Sequence, residues 1–146
     1  MNRFNLRVYA IIINPNNEVL VSDELRFGKT MTKFPGGGME QGEGTKDTLQ
    51  RELQEELGVM ATIGELFYVN DFFQESAFRK EDQLISFYHF IDSIDFLEIV
   101  STNHTIPLTE EGEKFRWVSL TEISSDHFTF PIDKVVAEKL RQLESE

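Results

Sequence analysis

Cysteine is absent from all 146 residues. That one absence excludes disulfides, thiolate nucleophiles and thiolate metal ligands. It suits a reducing cytoplasm, which is the expected location. Basic residues are scarce: 14 Lys and Arg stand against 26 Asp and Glu, for a formal net charge of −12. A chain of that sign is a poor match for a phosphate backbone, so a nucleic-acid polymer is not an expected partner. A small phosphorylated ligand stays open, because a divalent cation can bridge two anions. Long apolar runs are missing too. The longest, Val8 to Ile13, falls far short of the roughly 20 residues of a membrane span. The opening segment MNRFNLRVYAIII also lacks the apolar core and cleavage site of a signal peptide. A membrane is therefore not an expected partner either. No repeat, low-complexity tract or linker interrupts the sequence, so a single domain over 1–146 is expected.

What is present suffices for a core: 40% of residues are hydrophobic and 13 are Phe. Leu6 to Ile13 reads as a buried strand, Asn14 to Asn17 as a turn and Glu18 to Leu25 as a second strand, together a hairpin. Asp23 to Lys29 is polar and holds Gly28, so a loop is expected, followed by a short strand at Thr32 to Phe34. Three glycines, Gly36, Gly37 and Gly38, follow Pro35. The main helix is expected over Thr45 to Leu57, with Thr45 as N-cap, Gly58 as the stop and Leu49, Leu53 and Leu57 as its apolar stripe. Further strands are expected at Ala61 to Phe73, broken near Gly64, at Leu84 to Ile91 and at Phe115 to Val118. A short helix capped by Ser119 and a closing helix from Pro131 to Leu143 complete the series. Irregular alternation of strands and helices predicts an α/β fold, a mixed sheet with helices on its faces.

The main helix carries Glu52, Glu55 and Glu56 at i, i+3 and i+4, which places three carboxylates on one face. Like charges so close repel. The face reads either as a solvated surface, with Arg51 and Glu55 as an i, i+4 pair, or as a site for a cation. Oxygen donors alone suit a hard divalent ion such as Mg²⁺, and the absence of His and Cys there disfavours zinc.

The stretch Gly37 to Val59 resembles the Nudix box. Gly37, five residues, Glu43, seven residues and then Arg51-Glu52-Leu53-Gln54-Glu55-Glu56-Leu57-Gly58-Val59 match every specified position of Gly-x5-Glu-x7-Arg-Glu-aliphatic-x-Glu-Glu-x-Gly-aliphatic. The resemblance implies a Nudix-type α/β/α sandwich with a mixed β-sheet and a loop–helix–loop catalytic box. It implies Mg²⁺- or Mn²⁺-dependent hydrolysis of a diphosphate linkage, usually in a nucleoside diphosphate joined to another moiety. By position, Glu52, Glu55 and Glu56 become metal ligands, with the Gly36 carbonyl as a further ligand. Glu52 also becomes the candidate to deprotonate or orient the water. Glu43 and Arg51 become organisers, Gly37 and Gly58 geometric residues, and Leu53, Leu57 and Val59 core.

Some members add a Glu from outside the box, and Glu111, with Glu110 beside it, occupies the matching stretch before Phe115. No motif marks the organic part of the substrate. Phe27, Phe34, Tyr68, Phe72, Phe73, Phe78 and Phe128 are the pool for base stacking, and Arg26, Lys29, Lys33, Arg79 and Lys80 the pool for phosphate contacts. The aromatic strands Phe67 to Phe73 and Phe87 to Phe90 bury either a homodimer interface or a core. The alternative reading is a nucleotide-binding Nudix domain without catalysis. An isoprenoid diphosphate isomerase of the same fold would need a catalytic Cys, which this chain lacks.

Overall fold

A computed structural model describes residues 2–145. The elements are β1 (Arg3–Ile11), β2 (Glu18–Arg26), β3 (Lys29–Lys33), β4 (Gly36–Gly38), α1 (Thr45–Leu57), β5 (Ala61–Val69), β6 (Asp82–Ile94), β7 (Gly112–Ser119) and α2 (Pro131–Glu144). Short 3₁₀ turns lie at Phe96–Glu98 and Ser125–His127. The fold is α/β, with a mixed sheet. The chain divides into two compact units: residues up to Ile11 with Gly36–Glu98, and Ile12–Pro35 with the chain from Ile99 onward.

The first unit holds a four-stranded sheet in the order β4-β1-β6-β5. β1 runs parallel to β6 and antiparallel to β4, while β5 and β6 are antiparallel. Side chains alternate along a strand and paired residues share a face. Val8, paired with Gly37, therefore points to one side, and Arg7 and Tyr9, paired with Gly38 and Gly36, point to the other. Helix α1 packs on β4, β5 and β1, burying Leu49 and Leu53 completely. Leu57, expected in the same stripe, sits at the last turn and is only half-buried.

The second unit holds the antiparallel sheet β3-β2-β7 and helix α2. Pro131 stands in the first turn of α2, where its missing N–H costs nothing. Ile132, Val136, Ala137 and Leu140 form the buried stripe, and Leu143 is exposed.

Three local expectations are corrected. The β1–β2 hairpin reduces to a single bridge, Ile13↔Val19, because each strand finds its main partners in a different sheet. The expected loop Asp23 to Lys29 is instead the end of β2 and a tight hairpin to β3. Phe27 and Gly28 both take positive φ, 52° and 76°, the backbone of a two-residue turn that matches strand twist. The expected helix after Ser119 is a turn, in which the amides of Glu122 and Ile123 both donate to the Ser119 carbonyl.

Candidate active site

The carboxylate-bearing helix is fixed at both ends. Its N-cap is Gly44, not Thr45. Gly44 N–H donates to Asp47 Oδ2 at 2.8 Å, so an acidic side chain meets the positive end of the helix. Thr45 is free for a different contact: its hydroxyl lies 2.8 Å from Nε2 of buried His89 on β6. Nδ1 of that ring lies 2.9 Å from the Gly64 carbonyl. A carbonyl can only accept, so Nδ1 carries a hydrogen, and in the Nδ1–H tautomer Nε2 accepts from Thr45. At the other end Gly58 adopts φ 68°, and its N–H donates to the Gln54 carbonyl at 3.0 Å, a left-handed cap.

Arg51 organises the face between these ends. Nε donates to Glu43 Oε2 at 2.7 Å and Nη2 to Glu43 Oε1 at 3.0 Å. Nη1 reaches Glu52 Oε1 at 3.0 Å and Glu55 Oε2 at 3.4 Å, and Nη2 also donates to the Gly38 carbonyl at 2.9 Å. One guanidinium thus ties the loop before the helix, the glycine strand and two of the three box carboxylates together. Glu43 additionally accepts from the Glu40 amide and the Thr48 hydroxyl, each at 3.0 Å. The Arg51 bonds, then the Glu40 amide, hold its carboxyl at a pKa of about 2. The same Glu43 contact, against the cost of burial and with help from Glu52, pushes Arg51 upward.

The glycines admit Glu52. A Cβ added at Gly37 would stand 2.5 Å from the Glu52 carboxylate, and one at Gly36, where φ is +149°, would collide with the Val8 carbonyl and the Tyr9 Cα. Gly36 is therefore needed for backbone pairing with β1, and Gly37 for the seat of a carboxylate. Glu52 is enclosed, Glu55 is exposed and Glu56 is half-buried with a buried Oε2.

Among the described residues no three His, Asp or Glu side chains are gathered closely enough to hold an ion as they stand. The donor set nevertheless fits a hard divalent ion. It offers three carboxylates on one rigid turn, no softer ligand among them, and an exposed Glu55 that can turn inward. Glu111 lies in the second unit, exposed on the turn that leads into β7.

Several residues from the sequence pools have other employment. Phe34 and Phe128 stack on each other at 4.4 Å and are buried, so they are core of the second unit. Arg26 and Lys33 pair with Glu24 at 3.0 and 3.1 Å. Phe27, Phe73 and Phe78 are exposed. Sequence reasoning passed over Arg7. The signal was present: it is the one charged residue inside the expected strand from Leu6 to Ile13.

The NUDIX domain model matches residues 3–140. The chain belongs to the Nudix family. Among curated Nudix relatives, the 8-oxo-dGTP diphosphatase of Escherichia coli K12 is 29% identical over 136 residues, covering 92% of this chain and 94% of that protein. The 8-oxo-dGTP diphosphatase of Haemophilus influenzae is 28% identical, covering 82% and 79%. Among solved structures, the Escherichia coli ORF135 protein superposes with a TM-score of 0.71 at 21% identity over 99% of this chain and 93% of that one. The chain is a Nudix hydrolase.

Proposed function

We propose that this Nudix hydrolase is a divalent-metal-dependent pyrophosphohydrolase of nucleotide substrates, splitting a P–O–P linkage by attack of water on phosphorus. The observation that carries the reading is the Arg51 tie. It holds Glu52 against Gly37 and links it to Glu43, so the chain's own residues organise the carboxylate face. Glu52, Glu55 and Glu56, with the Gly36 carbonyl, would hold Mg²⁺ or Mn²⁺. Such an ion neutralises the diphosphate and makes a bound water more acidic. Glu52 accepts the proton of the attacking water at its carboxylate, as the new O–P bond forms and the bridging P–O bond breaks toward the leaving phosphate. Arg51 donates to Glu52 Oε1 and so limits the directions in which that carboxylate can point.

The curated relatives named as 8-oxo-dGTP diphosphatases make oxidised purine nucleoside triphosphates the first substrates to test. The experiment is release of phosphate or pyrophosphate with Mg²⁺ from 8-oxo-dGTP, dGTP, ADP-ribose, nucleotide sugars and dinucleoside polyphosphates. Turnover of at least one, lowered about tenfold or more in Glu56→Gln, is expected. Metal-dependent binding of these compounds with no turnover would instead establish a binding domain. Activity unchanged in Glu56→Gln would overturn the proposed site.

A further inference from the structure

The face of the first-unit sheet opposite Val8 carries an unusual set of side chains. All three tyrosines of the chain lie on it together: Tyr9 and Tyr88 at 5.3 Å between ring centroids, Tyr68 and Tyr88 at 6.3 Å. Arg7 stands beside them, next to Gly38 on the edge strand β4. Its Nε donates to the Tyr9 hydroxyl at 3.1 Å, and its Cζ lies 5.8 Å from the centre of the Tyr9 ring. A Cβ at Gly38 would come within 3.4 Å of Nη1, so the glycine leaves the guanidinium its room.

Arg3, Arg26, Arg51 and Arg116 each pair with a carboxylate. Among the described residues Arg7 makes no ion pair, and its bond to Tyr9 uses only one N–H of five. The half-buried guanidinium is kept charged first by Tyr9, against the cost of burial, and then by Glu52 and Glu56. Both carboxylates lie near enough to Arg7 to favour its charge. Arg51, the other guanidinium at these carboxylates, is already spent on Glu43, Glu52, Glu55 and Gly38.

We propose that Arg7 is a substrate-binding residue that grips a phosphate oxygen of the diphosphate through its Nη1 and Nη2 edge, beside the carboxylates of α1. The inference rests on the pyrophosphohydrolase reading above. A planar two-donor edge matches phosphate geometry, and a positive charge at that place offsets the repulsion between the acidic face and an anionic substrate. Tyr9 fixes the direction of the fork.

Inorganic pyrophosphate and Mn²⁺ are the probes, each titrated against wild type, Arg7→Gln and Arg7→Lys. A phosphate grip predicts opposite signs. Pyrophosphate, measured calorimetrically at fixed free Mn²⁺, binds about tenfold to a hundredfold more weakly to Arg7→Gln. Mn²⁺ alone, followed by the paramagnetic signal of the free ion, binds as tightly or more tightly, because a neighbouring positive charge has gone. Arg7→Lys keeps the charge without the fork and falls between the two for pyrophosphate; it serves in place of Arg7→Gln should that variant not fold. Unchanged pyrophosphate binding overturns the inference, as does parallel weakening of both ligands, which marks a purely structural residue. Turnover of no nucleotide by the wild type would overturn the hydrolytic reading instead, and the two titrations would still decide Arg7.

Discussion

Arg51 grips Glu43 with two donors, at 2.7 and 3.0 Å, and turns a third toward Glu52 at 3.0 Å. The pair joins residues eight positions apart, so it closes the loop before α1 onto the turn that carries the box carboxylates. Lysine has the charge but cannot make a planar fork. Arg51→Lys should therefore keep most of the fold and lose activity by about tenfold to a hundredfold. Steady-state kinetics alongside thermal unfolding checks this; loss of activity only in proportion to loss of folded protein would contradict it.

Glu43 makes the same tie sensitive to acid. Its pKa falls from 4.5 to about 2 on folding. A depressed carboxyl contributes stability above its unfolded pKa and loses it as pH drops through the folded one. The contribution should be whole above about pH 4.5 and gone near pH 2. Melting temperatures of wild type and Glu43→Gln should differ most near neutrality and converge as pH falls through that window. A constant difference across it would rule out Glu43 as the source.

Two adjacent glycines should fail in different ways. At Gly37 an added methyl meets the end of the Glu52 side chain, which can swing aside. Gly37→Ala should fold and lose activity. At Gly36 the methyl meets backbone atoms at a positive φ, so Gly36→Ala should lose about 1–3 kcal/mol of stability. Chemical denaturation and activity measured together separate the two, and similar profiles for both variants would count against this geometry.

His89 links the sheet to the start of the catalytic helix through Gly64 and Thr45. Nitrogen NMR should show the neutral ring protonated at Nδ1. His89→Ala leaves a buried carbonyl and a hydroxyl without this partner, and each lost bond should cost about 1–3 kcal/mol. Observation of the Nε2–H tautomer would reverse the assigned direction of both bonds.

The box was readable because its meaning is local. Glycine before a helix, three glutamates at i, i+3 and i+4, and a terminal glycine act within a few residues of each other. Helix α1 accordingly spans Thr45–Leu57 and stops at Gly58. The β1–β2 pairing was misread because strand partners are chosen by long-range contacts: Leu6 faces Ile85 across a parallel pair that no local pattern encodes. The Phe27–Gly28 turn was misread as loop because polar side chains at Asp23 and Glu24 imitate one. In the fold both are buried and satisfied, Asp23 by Arg116, Thr32 and His104, and Glu24 by Lys33.

The sequence by itself determined the family, the helix and the carboxylates it displays, since all three depend on spacing along one segment. Tertiary structure alone decided which side chains meet that face. Strand pairing placed Gly37 under Glu52, set Arg7 beside Gly38 with Tyr9 as its anchor, and turned Thr45 from a cap into a partner of His89. Such contacts join residues far apart in the chain, and only the packed sheet brings them within hydrogen-bonding distance.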